Sequence, residues 1–360
     1  MSNMSLQSSV VRAGIELVKA GLIARTWGNV SCRIDEESFW ITPSGRDYLT
    51  LKPSEIVKVS IKDLSYTGSI KPSSEKGIHA AVYERFSDVN FVIHTHQASA
   101  SVVSALGLDR ITLSEDHPLF SNQIICAAYA LPGTQRLKRH VVEALEKTEG
   151  SAIILKHHGA VCFGRDYESA FNSAYSLEQV CSDFIQERKS AMTGDAHHEE
   201  QHQNQHQKQP LKQQQKASQQ KQADSMHLIE MVKETKGGCV LLNQEEDIVR
   251  YACQKNALKP FLDDFAQIIG IEVKVVKAEE TAVLKALKNA SAVFIENLGA
   301  LCWGKDESEA KAVQMVLNKN CKAYFGAVLF EHIKPINLVE SLLMRWVYLK
   351  KYSKLSGGKI

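Results

Sequence analysis

A chain of 360 residues exceeds the usual reach of a single hydrophobic core and predicts two domains. Its 43 Lys and Arg nearly balance its 41 Asp and Glu, and the net charge of +2 argues against a strong electrostatic partner such as duplex DNA. No apolar run approaches the ~20 residues a membrane helix needs. Met1–Ser5 lacks a basic-then-apolar leader, so the reading is a cytoplasmic protein with neither nucleic acid nor membrane as partner. The eight cysteines form no Cys-x-x-Cys pair, and Cys126, Cys162 and Cys302 sit inside apolar runs, as reduced packing residues do.

Ser9–Ala24 carries Val10, Val11, Ile15, Leu17 and Val18 at helical spacing and predicts an opening amphipathic helix. Trp27–Ile34 turns to strand alternation, Ser38–Gly45 is a second strand ending in a turn, and Ile56–Ser60 is a third. Ser73–Phe86 predicts a helix capped by Ser74, with Ile78, Ala81, Val82 and Phe86 as its apolar stripe. Asn90–His96 is the next strand, and a helix follows over Ala98–Leu106. Strands at Ile124–Ala127 and Ala152–Leu155 flank a helix over Thr134–Lys147. Asp166 caps a long helix that runs to Arg188.

From His197 to Gln222 the chain is almost wholly Gln, His, Lys and Glu. Such a stretch buries too little apolar area to fold and predicts a disordered linker over 196–224. Its histidines (His197, His198, His202, His206) could hold a metal loosely, but a solvated tether is the simpler reading. A second folded unit follows over 225–360, and it repeats the first. Ser151–Asp166 aligns with Ser291–Asp306, and the match runs without a gap through Ala170/Ala310, Leu177/Leu317 and Cys181/Cys321. Asn297-Leu298 stands where the first copy has His157-His158, and no His-x-His occurs in the second unit. The copy over 225–360 therefore reads as degenerate, stripped of metal ligands, with a structural or regulatory role. Its Asp263-Asp264 pair reads as solvated turn residues.

The chemistry centres on Phe91-Val92-Ile93-His94-Thr95-His96. Strand alternation sends His94 and His96 to one face and Thr95 to the other, giving two metal ligands on a rigid strand end. His158, followed by Gly159, is the natural third ligand, with His157 as the alternative. Three histidines leave Zn²⁺ an open position, as in catalytic sites. Ser73 and Ser74 at a helix start offer hydroxyls and free N–H groups to an anion. Glu75, beside them, can serve as a base or a ligand, or simply favour the helix dipole. Gly28-Asn29 and Ser44-Gly45 are further small polar turns able to hold phosphate oxygens.

Together these residues resemble the class II aldolase/adducin family. The motifs are Gly28-Asn29-Val30-Ser31, Ile41-Thr42-Pro43-Ser44-Gly45, Lys71-Pro72-Ser73-Ser74-Glu75, His94-Thr95-His96, Ala128–Thr134 and His157-His158-Gly159. They cover residues 5–190. The resemblance implies a three-layer α/β/α fold with a central, largely antiparallel sheet, and a homo-oligomer, a tetramer first, with sites between subunits. It implies that His94, His96, His158 and Glu75 hold Zn²⁺ and that Glu75 transfers the proton. It further implies that Gly28, Asn29, Ser44, Gly45, Ser73 and Ser74 bind substrate phosphate. The implied activity is C–C cleavage or formation in a phosphorylated ketose through a zinc-stabilised enediolate. The rivals are a sugar-phosphate 4-epimerase or dehydratase on the same site, or a non-catalytic adducin-like binding protein. Glu75 favours the aldolase, because family epimerases usually have Asp there. One departure stands out. Family aldolases supply an acid tyrosine between the His-x-His strand and the Ala-x-Tyr-Ala motif, whereas 107–123 has none and offers Glu115 and His117 instead.

Overall fold

The computed structural model describes residues 3–23, 27–196 and 225–352. The Gln/His-rich stretch from His197 and the end of the first predicted helix, Ala24, lie outside them. Two compact units divide the chain, one of residues 1–184 with 347–360 and one of residues 185–346.

The first unit opens with α1 (Asn3–Lys19), six residues earlier than the apolar spacing predicts. The added residues are mostly polar, with Met4 and Leu6 between them, and Ser8 and Ser9 donate their hydroxyls back to the carbonyls of Met4 and Ser5. Strands β1 (Asn29–Arg33), β2 (Ser38–Ile41), β3 (Val57–Ser60), β4 (Phe91–Thr95), β5 (Arg110–His117), β6 (Ser121–Ala127), β7 (Ala152–Leu155) and β8 (Gly159–Gly164) form one sheet. Its order is β3-β2-β1-β4-β8-β7-β6-β5, and only β6–β7 is parallel. The expected largely antiparallel α/β/α sheet is therefore what the chain forms. Helices α2 (Lys76–Arg85) and α4 (Gln135–Leu145) cover one face, where Val92, Ile153, Leu155, Val161 and Phe163 are buried with Ile78, Val82, Leu137 and Val141. Each such side chain contributes about 1.5–3 kcal/mol of burial. Cys32, of opposite parity on β1, meets the Leu6 carbonyl of α1, so α1 lies on the other face. Helix α3 (Ala98–Ser104) packs on β7 and β8, and α5 (Tyr167–Ala196) follows.

Two strands went unpredicted. β5 lies on the sheet edge and, apart from the buried Ile111, is exposed or part-buried, so its polarity resembles a loop. β8 follows β7 after a three-residue turn, too tight for two apolar runs to read as separate strands. The cap of α2 also differs from expectation. Glu75, not Ser74, holds the N-cap position, and the Ser73 hydroxyl accepts from the Glu75 N–H (3.2 Å).

The second unit has helices α6 (225–236), α7 (Glu246–Ala252), α8 (Asp263–Ile268), α9 (Glu280–Ala286) and α10 (Glu307–Leu329), then α11 (Leu338–Val347). Its sheet runs β10 (Val275–Val276), β11 (Ala292–Ile295), β12 (Gly299–Gly304), β9 (Cys239–Asn243), with only β10–β11 parallel. That is the order and sense of β6-β7-β8-β4. Among the described residues nothing in this unit corresponds to β1–β3. Asp306 caps α10 by accepting from Glu309 N (2.8 Å), as Asp166 accepts from Ser169 N (2.8 Å) at α5. Asp263 and Asp264 are not solvated turn residues. They form the first turn of α8 and are buried, with the Lys319 ammonium ion-paired to Asp264.

Candidate metal centre

The geometry begins with the match between a strand and a helix. Alternate residues on β1 are spaced ~6.6 Å apart and every fourth residue on a helix ~6 Å, so the two ladders stay in step. Asn29 meets Glu75 and His79, Ser31 meets His79 and Tyr83, and Arg33 reaches the carbonyls of Tyr83 in α2 and of Phe86 at its C-cap. β1 also pairs with β4 so that Asn29 lies opposite His94. The N-terminus of α2 is thereby held beside the His-x-His strand end.

His94 is fully buried, and its Nδ1 lies 2.8 Å from the Ala160 carbonyl. A carbonyl only accepts, so Nδ1 carries the proton and Nε2 presents a lone pair. That Nε2 is 3.1 Å from His96 Nε2 and 2.9 Å from His158 Nε2. His158 lies on the β7–β8 turn, where His157 takes a φ of 60° and packs its ring against Tyr129 (5.3 Å). The turn thus brings His158 to the cluster and leaves His157 outside it. Gly159 closes the arrangement, since a Cβ there would lie 2.1 Å from the Thr95 carbonyl oxygen. Glu75 completes it, with Oε1 3.0 Å from His158 Nε2 and Oε2 3.3 Å from His94 Nε2.

The four ligand atoms all lie within 4.8 Å of one another. Three imidazole nitrogens and a carboxylate converge on one point with few protons to share, which is the donor set of a divalent cation. Neighbouring ligands of a tetrahedral zinc with ~2.0–2.1 Å bonds lie roughly 3.3 Å apart, close to the separations seen here. The residues fit a metal. Burial raises the pKa of the Glu75 carboxyl, but the facing His94 and His158 imidazoles outweigh it and hold the group well below the usual carboxylate range. Burial, then the nearby His94, pushes His79 down to about 3, so its ring stays neutral.

The remaining predicted residues ring this cluster. Ser44 N donates to the Lys71 carbonyl and Ser73 N to that of Thr42, both at 3.0 Å, which brings the Ser44-Gly45 turn against Ser73-Ser74. Gly28 accepts from the Tyr48 hydroxyl (2.8 Å) just before β1. Asn29 donates Nδ2 to Glu75 Oε2 (2.9 Å) and accepts from His79 at Oδ1 (2.5 Å). His79 and Tyr83 are not singled out by residue order, and Ser31 is legible there only as part of the Gly28–Ser31 motif. The Glu75/His79/Tyr83 spacing of four beside the Asn29/Ser31/Arg33 spacing of two was the available signal.

In the second unit none of the three histidines is kept. Ala160 and Ala300 correspond, Ala160 pairs with Thr95 and Ala300 with Asn243, so Thr95 matches Asn243. His94, His96 and His158 therefore correspond to Leu242, Gln244 and Leu298.

Three relatives show what the chain is similar to. The chain is 28% identical to 5-deoxy-D-ribulose 1-phosphate aldolase of Bacillus thuringiensis serovar kurstaki, over 51% of this chain and 85% of that one. It is 32% identical to L-fuculose phosphate aldolase of Escherichia coli K12, over 51% and 85% respectively. It is 30% identical to L-ribulose-5-phosphate 4-epimerase of Salmonella paratyphi C, over 49% and 82%. The family described as Class II Aldolase and Adducin N-terminal domain matches residues 8–185 and again 199–325, in keeping with the internal repeat. With most of its length in those two segments, the protein belongs to that family and is an enzyme of the class II aldolase type, a lyase.

Proposed function

We propose that the chain is a zinc-dependent aldolase that cleaves or forms a C–C bond in a phosphorylated ketose, yielding dihydroxyacetone phosphate or a related fragment and an aldehyde. The observation that carries this reading is the convergence of His94, His96, His158 and Glu75. Bound there, Zn²⁺ would supply Lewis-acid stabilisation to the oxyanion that develops as the bond breaks. His94, His96 and His158 would hold it, with the His94 tautomer fixed by Ala160. Glu75 is the proton carrier: its buried carboxylate sits beside the three imidazoles, where it can take a proton from the substrate carbon and return one to it. Gly28, Asn29, Ser44, Gly45, Ser73 and Ser74 receive the phosphate. With no tyrosine in 107–123, the proton that the aldehyde oxygen gives up on cleavage and regains on bond formation is carried by Glu115 or His117. Glu115 is exposed, and His117 accepts from Leu119 N at Nδ1, which leaves Nε2 as its donor.

The same reading assigns residues 1–195 to catalysis, 196–224 to a tether and 225–360 to a degenerate copy with a structural or regulatory role, within a cytoplasmic tetramer. Among the described residues no helix is long and apolar enough to cross a membrane. The similarity to a 4-epimerase motivates a second reading, isomer interconversion on the same site. A panel of ketose phosphates separates the two. Aldehyde release is the expected result, isomer conversion without cleavage supports the epimerase, and inertness towards the whole panel overturns both.

A further inference from the structure

Behind Glu75 runs a buried chain of hydrogen bonds whose proton directions are all determined. A carboxylate only accepts, so Asn29 turns its amide nitrogen to Glu75 Oε2 (2.9 Å) and its carbonyl oxygen to His79 Nε2 (2.5 Å). That oxygen also only accepts, so His79 carries its proton on Nε2. Nδ1, left with a lone pair, accepts from the Ser31 hydroxyl (2.7 Å), and Ser31 Oγ in turn accepts from the Tyr83 hydroxyl (2.8 Å). His79 and Ser31 are fully buried, Tyr83 and Asn29 nearly so, and only one arrangement of protons satisfies every group.

We propose that His79 is a positioning residue of the metal centre: by donating to the Asn29 amide it fixes the rotamer of Glu75 and thus the oxygen presented to the three imidazoles. The proposal rests on the reading of Glu75 as ligand and proton carrier. Without the His79 donor the Asn29 amide can turn over. Its carbonyl would then face the Glu75 carboxylate, two acceptors would repel each other, and the carboxylate would leave its place. An isolated buried histidine would need only some partner. Here the partner is the side chain that anchors a ligand, and Oε2, anchored by Asn29, leaves Oε1 turned to His158.

Cobalt tests this in the full-length chain, because the visible absorption of bound Co²⁺ reports coordination whether or not a substrate is known. His79→Leu removes the donor and is expected to change the Co²⁺ spectrum and weaken Co²⁺ binding about tenfold or more. It should lower kcat by a similar factor while KM moves less than about threefold. His79→Gln keeps a neutral N–H donor and is expected to recover the wild-type spectrum and most of the affinity. A folded His79→Leu with wild-type spectrum and affinity overturns the proposal, as does a His79→Gln as impaired as His79→Leu. Should His79→Leu not fold, Ser31→Ala decides, because it releases the His79 tautomer. Weakened Co²⁺ binding in Ser31→Ala supports the positioning role, and unchanged binding refutes it. A wild-type chain that binds Co²⁺ but turns over no ketose phosphate refutes both readings of the reaction, while the cobalt measurements still judge His79.

Discussion

The chain contains the same four-stranded frame twice, and the two copies differ where a metal would sit. β4-β8-β7-β6 and β9-β12-β11-β10 share order and sense. His157 and Asn297 share the left-handed turn, at φ 60° and 58°, and Asp166 and Asp306 share the cap. Yet His94, His96 and His158 face Glu75 in one unit, while Leu242, Gln244 and Leu298 stand in their places in the other. The Gly-Ala-x-Cys-x-Gly strand and its turn are therefore needed to build the fold, with or without chemistry. The histidines are independent of that need.

Glu75→Gln should produce the largest effect on the comparison. It keeps the shape and the Asn29 contact but removes the proton acceptor, so turnover on the best ketose phosphate should fall by roughly 10²–10⁴. Activity close to wild type would put the two units on an equal footing. Next come the paired frame substitutions. A Cβ on Gly159 would lie 2.1 Å from the Thr95 carbonyl oxygen, and one on Gly299, at φ 139°, 2.3 Å from that of Asn243. Each alanine should cost roughly 2–4 kcal/mol in denaturant unfolding, but only Gly159→Ala should also weaken metal binding. Leu298→His should gain no metal in titration, because Leu242 and Gln244 offer no imidazole beside it. It should lose roughly 1–3 kcal/mol by burying a polar ring.

The smallest and most specific effect concerns acid stability. His79 has a folded pKa of about 3 against the unfolded 6.5, so the unfolded chain binds the extra proton first. Its contribution is therefore neutral above about pH 6.5 and increasingly destabilising as pH falls towards 3, at about 1.4 kcal/mol per unit. In metal-free protein, His79→Gln should flatten the fall of stability across that window. Identical pH profiles would contradict the burial of a neutral His79.

Much of this was legible in residue order. The period of two made His94 and His96 a pair, Gly159 marked the turn that carries His158, and the ungapped repeat exposed the second copy. What stayed hidden depends on contacts between distant segments. Glu75 displaces Ser74 as cap because the helix starts where Asn29 and the imidazoles hold the carboxylate. β5 looks like a loop because an edge strand exposes its polar side chains. Asp263 and Asp264 look solvated until Lys319, more than fifty positions away, is seen to neutralise one of them. His79 looks like a core histidine until Asn29 is placed beside it.

One copy brings together the donors that could hold a metal, and the other keeps only the frame. Metal analysis of the purified full-length chain, beside His96→Ala, tests it most directly. About one zinc per chain is expected in the wild type, from a single open His-rich site, and background metal in His96→Ala. Two ions per chain, or a content unchanged by His96→Ala, would contradict it.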